Sequence, residues 1–312
     1  MNEVASLLQE NKKIKSARYV SAYEGMFACP VCKASMKVTD YESLICINHH
    51  TFDFAKQGYL NLTTNAVKNT KYSKDLFEAR SKLITKGAFY QPLHEAISNI
   101  LNKHFGKSKD KISILDMGCG EGSHLSTICE MVRSNFSDNV LGVGVDISKE
   151  GIMVAAKNYS NKIWTVADLA NTPFKDHQFD VILNILSPSN YGEFNRLLKP
   201  DGIVIKIVPQ SGYLQELREH LFPLSEKQTY SNSGSVERFT ESYECVDHSR
   251  LTYKMNLPKP SIEWLVKMTP LTWSTSEERV HSYLQKDCIE ITVDFDILIG
   301  RNQIINLNPV VK

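Results

Sequence analysis

A chain of 312 residues with 42% hydrophobic and 23% charged side chains has enough apolar material for a large core plus a small module, and is too apolar for a disordered protein. No apolar run approaches the roughly 20 residues that span a bilayer, and Met1–Ser16 is polar and lysine-rich, unlike a signal peptide, so the expectation is a cytoplasmic protein with no membrane contact. The net charge of +1 hides an asymmetry: residues 1–111 carry 17 Lys/Arg against 10 Asp/Glu, and residues 112–312 carry 19 against 25. A basic front part suits contact with a polyanion, although a solvated lysine-decorated surface would have the same composition.

Residues 1–25 lack a strong pattern and read as a tail or short helix. Cys29-Pro30-Val31-Cys32 follows, with Cys46, His49 and His50 beyond it. Three thiols and an imidazole in two short knuckles suit tetrahedral zinc with no open position, hence a structural site. A disulfide fits a reducing compartment poorly. Cys119, Cys129, Cys245 and Cys288 sit in or near apolar stretches and read as small core residues. Residues 26–62 form the expected zinc module, with Phe52 and Phe54 packing it and Tyr59 free to pack or to stack on a base. Residues 63–88 read as a linker and helix. Helical spacing places Leu76, Ala79 and Leu83 on one inner stripe over 74–85, and Leu93, Ile97, Ile100 and Leu101 on another over 91–104.

Residues 89–312 read as the larger domain. Apolar Ile112, Ile114 and Leu115 end a buried strand at Asp116; Gly118, Gly120 and Gly122 follow at alternate positions, then Ser123 opens a helix. A strand, a glycine loop and a helix N-terminus describe a nucleotide-like ligand site at the carboxyl edge of a parallel sheet. The loop is G-x-G-x-G rather than the dinucleotide G-x-G-x-x-G. Asp146 closes the next apolar run, where a carboxylate can accept both ribose hydroxyls, and Asp168 closes a third. Strands near 112–117, 140–146, 163–167, 179–186 and 202–208 alternate with helices near 124–134, 148–158, 190–198 and 211–221. Longer strands over 243–256 and 287–299 flank a helix near 260–268. Acids at three successive strand ends resemble the S-adenosylmethionine (SAM) methyltransferases. The expected fold is α/β, a seven-stranded Rossmann-like SAM methyltransferase sheet with a small N-terminal zinc module.

The zinc quartet, Phe52-Asp53-Phe54-Ala55-Lys56-Gln57-Gly58-Tyr59-Leu60-Asn61-Leu62, Phe89-Tyr90-x-Pro92-Leu93 and Leu115–Gly122 occur in this order in one family. From about Phe27 to its C-terminus the chain resembles the bacterial 23S ribosomal RNA guanine-N1 methyltransferases, whose Gram-positive members include macrolide-resistance enzymes. The resemblance implies His50, not His49, as the fourth ligand after Cys29, Cys32 and Cys46. It implies SAM and Zn²⁺ as cofactors, a hairpin of 23S rRNA as partner with the zinc module as its clamp, an effect on macrolide sensitivity, and leaves a homodimer open. Tyr90 corresponds to an aromatic lying over the SAM site, and Tyr213 stands where related proteins often have histidine. Asp168 falls on the adenine side. Related sequences carry Tyr-Ala-Pro where this one has Leu186-Ser187-Pro188, so Asn184 and Ser187 become the substrate-side candidates. Met268–Trp273 matches a family stretch, its Trp273 read first as core and second as a wall of the base pocket.

Guanine N1 carries a proton and attacks only once that proton leaves, so a group near the base must accept it while donors near O6 hold the developing charge. No residue is named for the first task by sequence. Two other readings compete: a small-molecule SAM methyltransferase with a structural zinc site, and a SAM-binding ribosome-assembly factor.

Overall fold

The computed structural model describes residues 11–64, 72–106, 110–223 and 230–302. The first ten residues of the expected tail and residues 65–71 of the expected linker lie outside them. The described part of the tail contains helix α1 (Lys12–Ser21), capped by Asn11 accepting from the Lys13 N–H, with Ala17 and Val20 buried. Three short antiparallel strands, β1 (Met36–Thr39), β2 (Ser43–Cys46) and β3 (Thr51–Asp53), build the cysteine module. Helices α2 (Lys74–Thr85) and α3 (Gln91–Phe105) follow, the first capped by the Ser73 hydroxyl.

The remainder runs β5 (Ile112–Met117), α4 (Ser123–Asn135), β6 (Val140–Asp146), α5 (Lys149–Asn158), β7 (Ile163–Val166), β8 (Phe179–Ile185), α6 (Tyr191–Leu197), β9 (Leu198–Pro209), α7 (Gln215–Leu221), α8 (Ser233–Ser242), β10 (Glu244–Pro258), α9 (Lys259–Met268), α10 (Glu277–Leu284) and β11 (Cys288–Arg301). The two-residue strand β4 (Leu60–Asn61) precedes them. The sheet order is β10-β11-β9-β8-β5-β6-β7-β4, with β5 to β9 parallel and β10 and β11 antiparallel.

The sheet therefore has eight strands, not the expected seven. The additional one is β4, which leaves the cysteine module and pairs in parallel with β7, Leu60 opposite Thr165 and Asn61 opposite Val166. Leu60 and Leu62 are both buried, and the Leu62 N–H donates to Val166 O at 2.9 Å, so burial of alternate leucines holds this segment against the sheet. Further bonds join module and sheet domain: Ala28 N–H to Pro173 O, Lys175 N–H to Met26 O, and a bridge between Phe27 and Phe174. One apolar layer runs without a break from Phe27, Met36, Leu44 and Phe54 of the module into Leu141, Val143 and Ile182 of the sheet. The opposite face packs α3, α4, α7 and α9 through Leu93, Leu125, Leu217 and Leu265. Phe54 and Tyr59 are buried in these cores and Phe52 packs partly, which settles Tyr59 as a packing residue. Among the described residues no helix is long and apolar enough to cross a membrane.

Candidate active site and metal centre

In the module, Cys29, Cys32, Cys46 and His50 each offer a ligand atom, all within 4.8 Å of one another. Cys32 Sγ and Cys46 Sγ are 3.7 Å apart, and His50 Nδ1 lies 3.6 Å from Cys29 Sγ and 3.4 Å from Cys46 Sγ. Tetrahedral zinc at its usual bond lengths separates sulfurs by about 3.8 Å and sulfur from nitrogen by about 3.5 Å. The four groups thus fit a closed zinc site. Left-handed backbone at His49 (φ 63°) turns His50 inward and leaves His49 exposed. Hydrogen bonds from the Ala34 backbone and the Asn48 amide hold the Cys32 thiol down to about 6, in the thiolate form zinc binds.

At the carboxyl edge of the sheet, β5 runs into the glycine loop and α4. Gly118 and Gly122 have φ of 87° and 79°; a Cβ on the first would meet Ser187 Oγ at 1.9 Å, and on the second the Trp164 ring at 2.4 Å. Only glycine can follow this path, and Gly120 (φ 57°) sits between them. Asp146 at the end of β6 accepts from the Gly120 N–H and the Ser148 N–H, each at 2.8 Å, so it braces the loop from below. Ser123 Oγ lies 2.9 Å from the Tyr159 hydroxyl. Asp116 is 1% exposed, its Oδ1 meets no donor, and burial pushes its carboxyl up to about 7, with Arg80 pulling the other way. A buried, orphaned carboxylate oxygen where β5 enters the glycine loop fits a ligand bearing an ammonium group, as SAM does. Asp168 stands apart: it is exposed, two residues beyond β7, and accepts from the Ala170 N–H at 2.9 Å.

Beside the loop opens a cavity of 690 Å³ lined by Tyr90, Tyr213, Ser187, Arg80, Lys206 and Tyr72 among others. The Tyr90 and Tyr213 hydroxyls are 2.7 Å apart. Tyr213 is held in place from β11, where Asp294 accepts from the Gly212 N–H and from Arg250 and Thr252. Ser187 lines the cavity, whereas Asn184 lies beneath it with its amide engaged: Nδ2 donates to Met117 O and Pro188 O, and Oδ1 accepts from Lys206 and Ser189. Trp273 is not core. It is 41% exposed and packs edge-on against Tyr72 at the cavity rim, 5.3 Å between centroids.

A family model described as a methyltransferase domain matches residues 108–287, and one described as RlmA, N-terminal, matches residues 27–71. A Bacillus subtilis protein named as the 23S rRNA (guanine-N1)-methyltransferase YxjB is 48% identical over 276 residues, spanning 88% of this chain and 96% of that one. The chain belongs to the 23S rRNA (guanine-N1)-methyltransferase family. A further member, the Streptomyces fradiae 23S rRNA (guanine(748)-N1)-methyltransferase, is 31% identical over 246 residues, 78% of this chain and 85% of its own. A Micromonospora griseorubida protein with the family name is 25% identical over 288 residues, covering 88% and 95%.

Three residues that line this cavity had no place in the sequence reading. Arg80 reaches over the loop from α2 and its Nε lies 3.2 Å from the fully buried Glu121 carboxylate. Its signal was a charge at helical spacing from Leu76 and Leu83, on the stripe that buries. Lys206 interrupts the apolar run Ile203–Val208 of a strand buried on both faces, which is equally readable in retrospect. Tyr72 carried no signal, since it follows a polar linker.

Proposed function

We propose that this chain transfers a methyl group from SAM to N1 of a guanine in a hairpin of 23S rRNA. The observation that supports this best is the joining, in one continuous core, of a closed Cys₃His site to a glycine-loop methyltransferase sheet. SAM supplies a methyl carbon activated by its sulfonium. In this reading Asp116 holds the ammonium end of that cofactor, Asp146 its ribose, Asp168 the adenine side, and Gly118, Gly120, Gly122 and Ser123 let it approach the backbone. Tyr90 and Tyr213 form the wall that keeps water from the transferred carbon. Tyr72 and Trp273 at the rim receive an unstacked base, as exposed aromatics do in single-stranded RNA recognition.

The basic front part has a place for the phosphates. Two adjoining clefts share Gln57, Lys157 and Asn158 and are lined by Lys12, Lys15, Lys74, Lys82, Lys86, Lys157 and Lys162, with Glu78 their single carboxylate among the described residues. Of the lysines Lys68, Lys71 and Lys74 in the expected linker and helix, the first two lie outside the described residues. Lys74 sits 3.3 Å from Glu78, which blunts its charge. The enzyme would work in the cytoplasm, where the ribosome is assembled. Base-by-base mapping of methylation in ribosomal RNA, with and without the protein, tests the reading. A single N1-methylguanine in 23S rRNA that depends on the protein is expected. Methylation of a small metabolite with no change in ribosomal RNA would favour the small-molecule reading. Intact pre-ribosome assembly after Asp146→Ala would favour an assembly factor. Macrolide inhibition of the two strains, measured alongside, tests the link to drug sensitivity.

A further inference from the structure

We propose that Lys206 is the cation that faces the target guanine and holds the negative charge appearing on O6 and N1 when the N1 proton leaves. The inference rests on the guanine-N1 reading above and names the donor that holds the charge developing near O6.

Lys206 stands on β9 opposite Asn184 of β8, at the carboxyl edge of the sheet, and lines the same cavity as Ser187, Arg80 and Tyr213. Ser187 in turn abuts Gly118 of the glycine loop, so the lysine sits one residue away from the cofactor cradle. The side chain is 5% exposed, and every partner of its ammonium is a neutral oxygen: Asn184 Oδ1 at 2.7 Å, Ser189 Oγ at 2.6 Å and, at the longer 3.5 Å, Ser187 O. Among the described residues no carboxylate pairs with it. Of the other cations lining this cavity, Arg80 is spoken for by Glu121, and Arg218 donates to the Tyr213 and Ser211 carbonyls.

The groups around Lys206 explain why its charge is poised. Arg238 of α8 repels it, Tyr191 of α6 stands beside Ser189, and Leu298 lies opposite on β11. Asp296, the nearest acid on that face of β11, is occupied by Gln210, Asn232 and His248. Burial first and Arg238 second pull the ammonium down to about 8. A buried charge with only dipoles for company gains most from an anion, and the guanine edge becomes one during the reaction. The N1–H bond breaks, its proton passing to water at the open mouth of the cavity and its electron pair spreading onto O6. The N1 pair then bonds to the methyl carbon as the carbon–sulfur pair stays on sulfur. The weakest of the three ammonium bonds, to Ser187 O, is the one that turns toward O6.

The test uses full-length protein, the Lys206→Met and Lys206→Arg variants, and a 23S rRNA hairpin fragment that the wild type methylates at guanine N1. Lys206→Met is expected to lower kcat by about 100-fold, with SAM affinity by calorimetry within about twofold of wild type. The wild-type rate should rise with pH as guanine loses its proton and fall above about 8 as Lys206 loses its own. Lys206→Arg stays charged, so it should keep reduced activity with no falling limb. A second measurement needs no turnover. The same fragment with 6-thioguanine at the target position reports N1 ionisation by its near-ultraviolet band, and should titrate about one pH unit lower on the wild type than on Lys206→Met. An equal midpoint on both proteins, turnover of Lys206→Met within about threefold of wild type, or SAM affinity lost together with turnover, would overturn the assignment. If the wild type forms no N1-methylguanine at all, the functional reading fails first and takes this inference with it.

Discussion

Asp116 is buried with an oxygen that meets no donor, and burial raises its carboxyl to about 7, well above the 3.8 of an open chain. A folded-state value above the unfolded one means that the native protein keeps the proton between these two pH values, so stability is greatest at low pH and declines as pH rises through 7. Asp116→Asn should therefore raise the thermal midpoint of the ligand-free protein at pH 8, by about 2–4 °C for each kcal/mol recovered, and the gain should vanish below about pH 4. The same variant should bind SAM more weakly; a calorimetric affinity equal to wild type would remove Asp116 from the site. The buried pair His94 and His124, 2.8 Å apart, acts in the opposite sense. Burial pulls His94 down to about 4, so the unfolded chain takes up a proton from pH 6.5 downward while the folded one resists. That costs on the order of 3 kcal/mol by pH 4. Urea midpoints of Asp116→Asn should accordingly fall more steeply with acid than those of wild type. At the rim, Trp273→Ala should weaken binding of the target hairpin by about 1–3 kcal/mol, the usual worth of a base stacked on an aromatic ring, with SAM affinity unchanged. Filter binding on the hairpin checks it.

At the scale of elements, the ends of β5 and β6 act together. Asp146 braces the glycine loop through the Gly120 N–H while capping α5's approach through the Ser148 N–H. Asp146→Ala removes these two bonds along with any to the ribose, each charge-assisted one worth about 1.5–3 kcal/mol. Calorimetry should show SAM binding weakened at least about tenfold. Unaltered affinity would exclude the ribose role. These strand ends were legible in advance because apolar runs closed by acids and alternate glycines have few other physical explanations. Helices α2 and α3 were legible for a similar reason, since Leu76, Leu83, Leu93 and Ile97 repeat at helical spacing and bury. Helices α8 and α10 were not: only Phe239 and Tyr283 respectively are buried in them, too little for a periodic signal. Strand β4 was hidden by its two-residue length, because a pairing that short is decided by its neighbour across the sheet and not by its own pattern. Asn184 looked free to orient a base because sequence cannot show that Lys206, Ser189 and two carbonyls already occupy it.

The whole molecule is less divisible than a zinc module joined by a linker to a catalytic domain. Phe27 and Phe174 pack at 5.2 Å between ring centroids, and the module's apolar layer is continuous with the sheet's. The lysine clefts also straddle the join, with Lys12 donating to Lys157 O across it. Neutralising phosphates there releases counterions, so affinity for the hairpin should drop steeply with salt while SAM affinity scarcely moves. Charge reversal at Lys82 and Lys86 should flatten the salt slope by about one unit for each phosphate no longer neutralised. An unchanged slope would move the RNA path elsewhere. The pairing of β4 with β7 carries one more consequence. In its absence the parallel sheet would end at β7, with unsatisfied N–H and C=O groups turned toward solvent as a template for other chains. Zinc, by fixing the module from which β4 emerges, keeps that border sealed. Stripping the metal with a chelator should therefore turn solutions of the protein turbid, with light scattering that grows with protein concentration. Clear, monomeric apo-protein would show that β4 keeps its place without the metal.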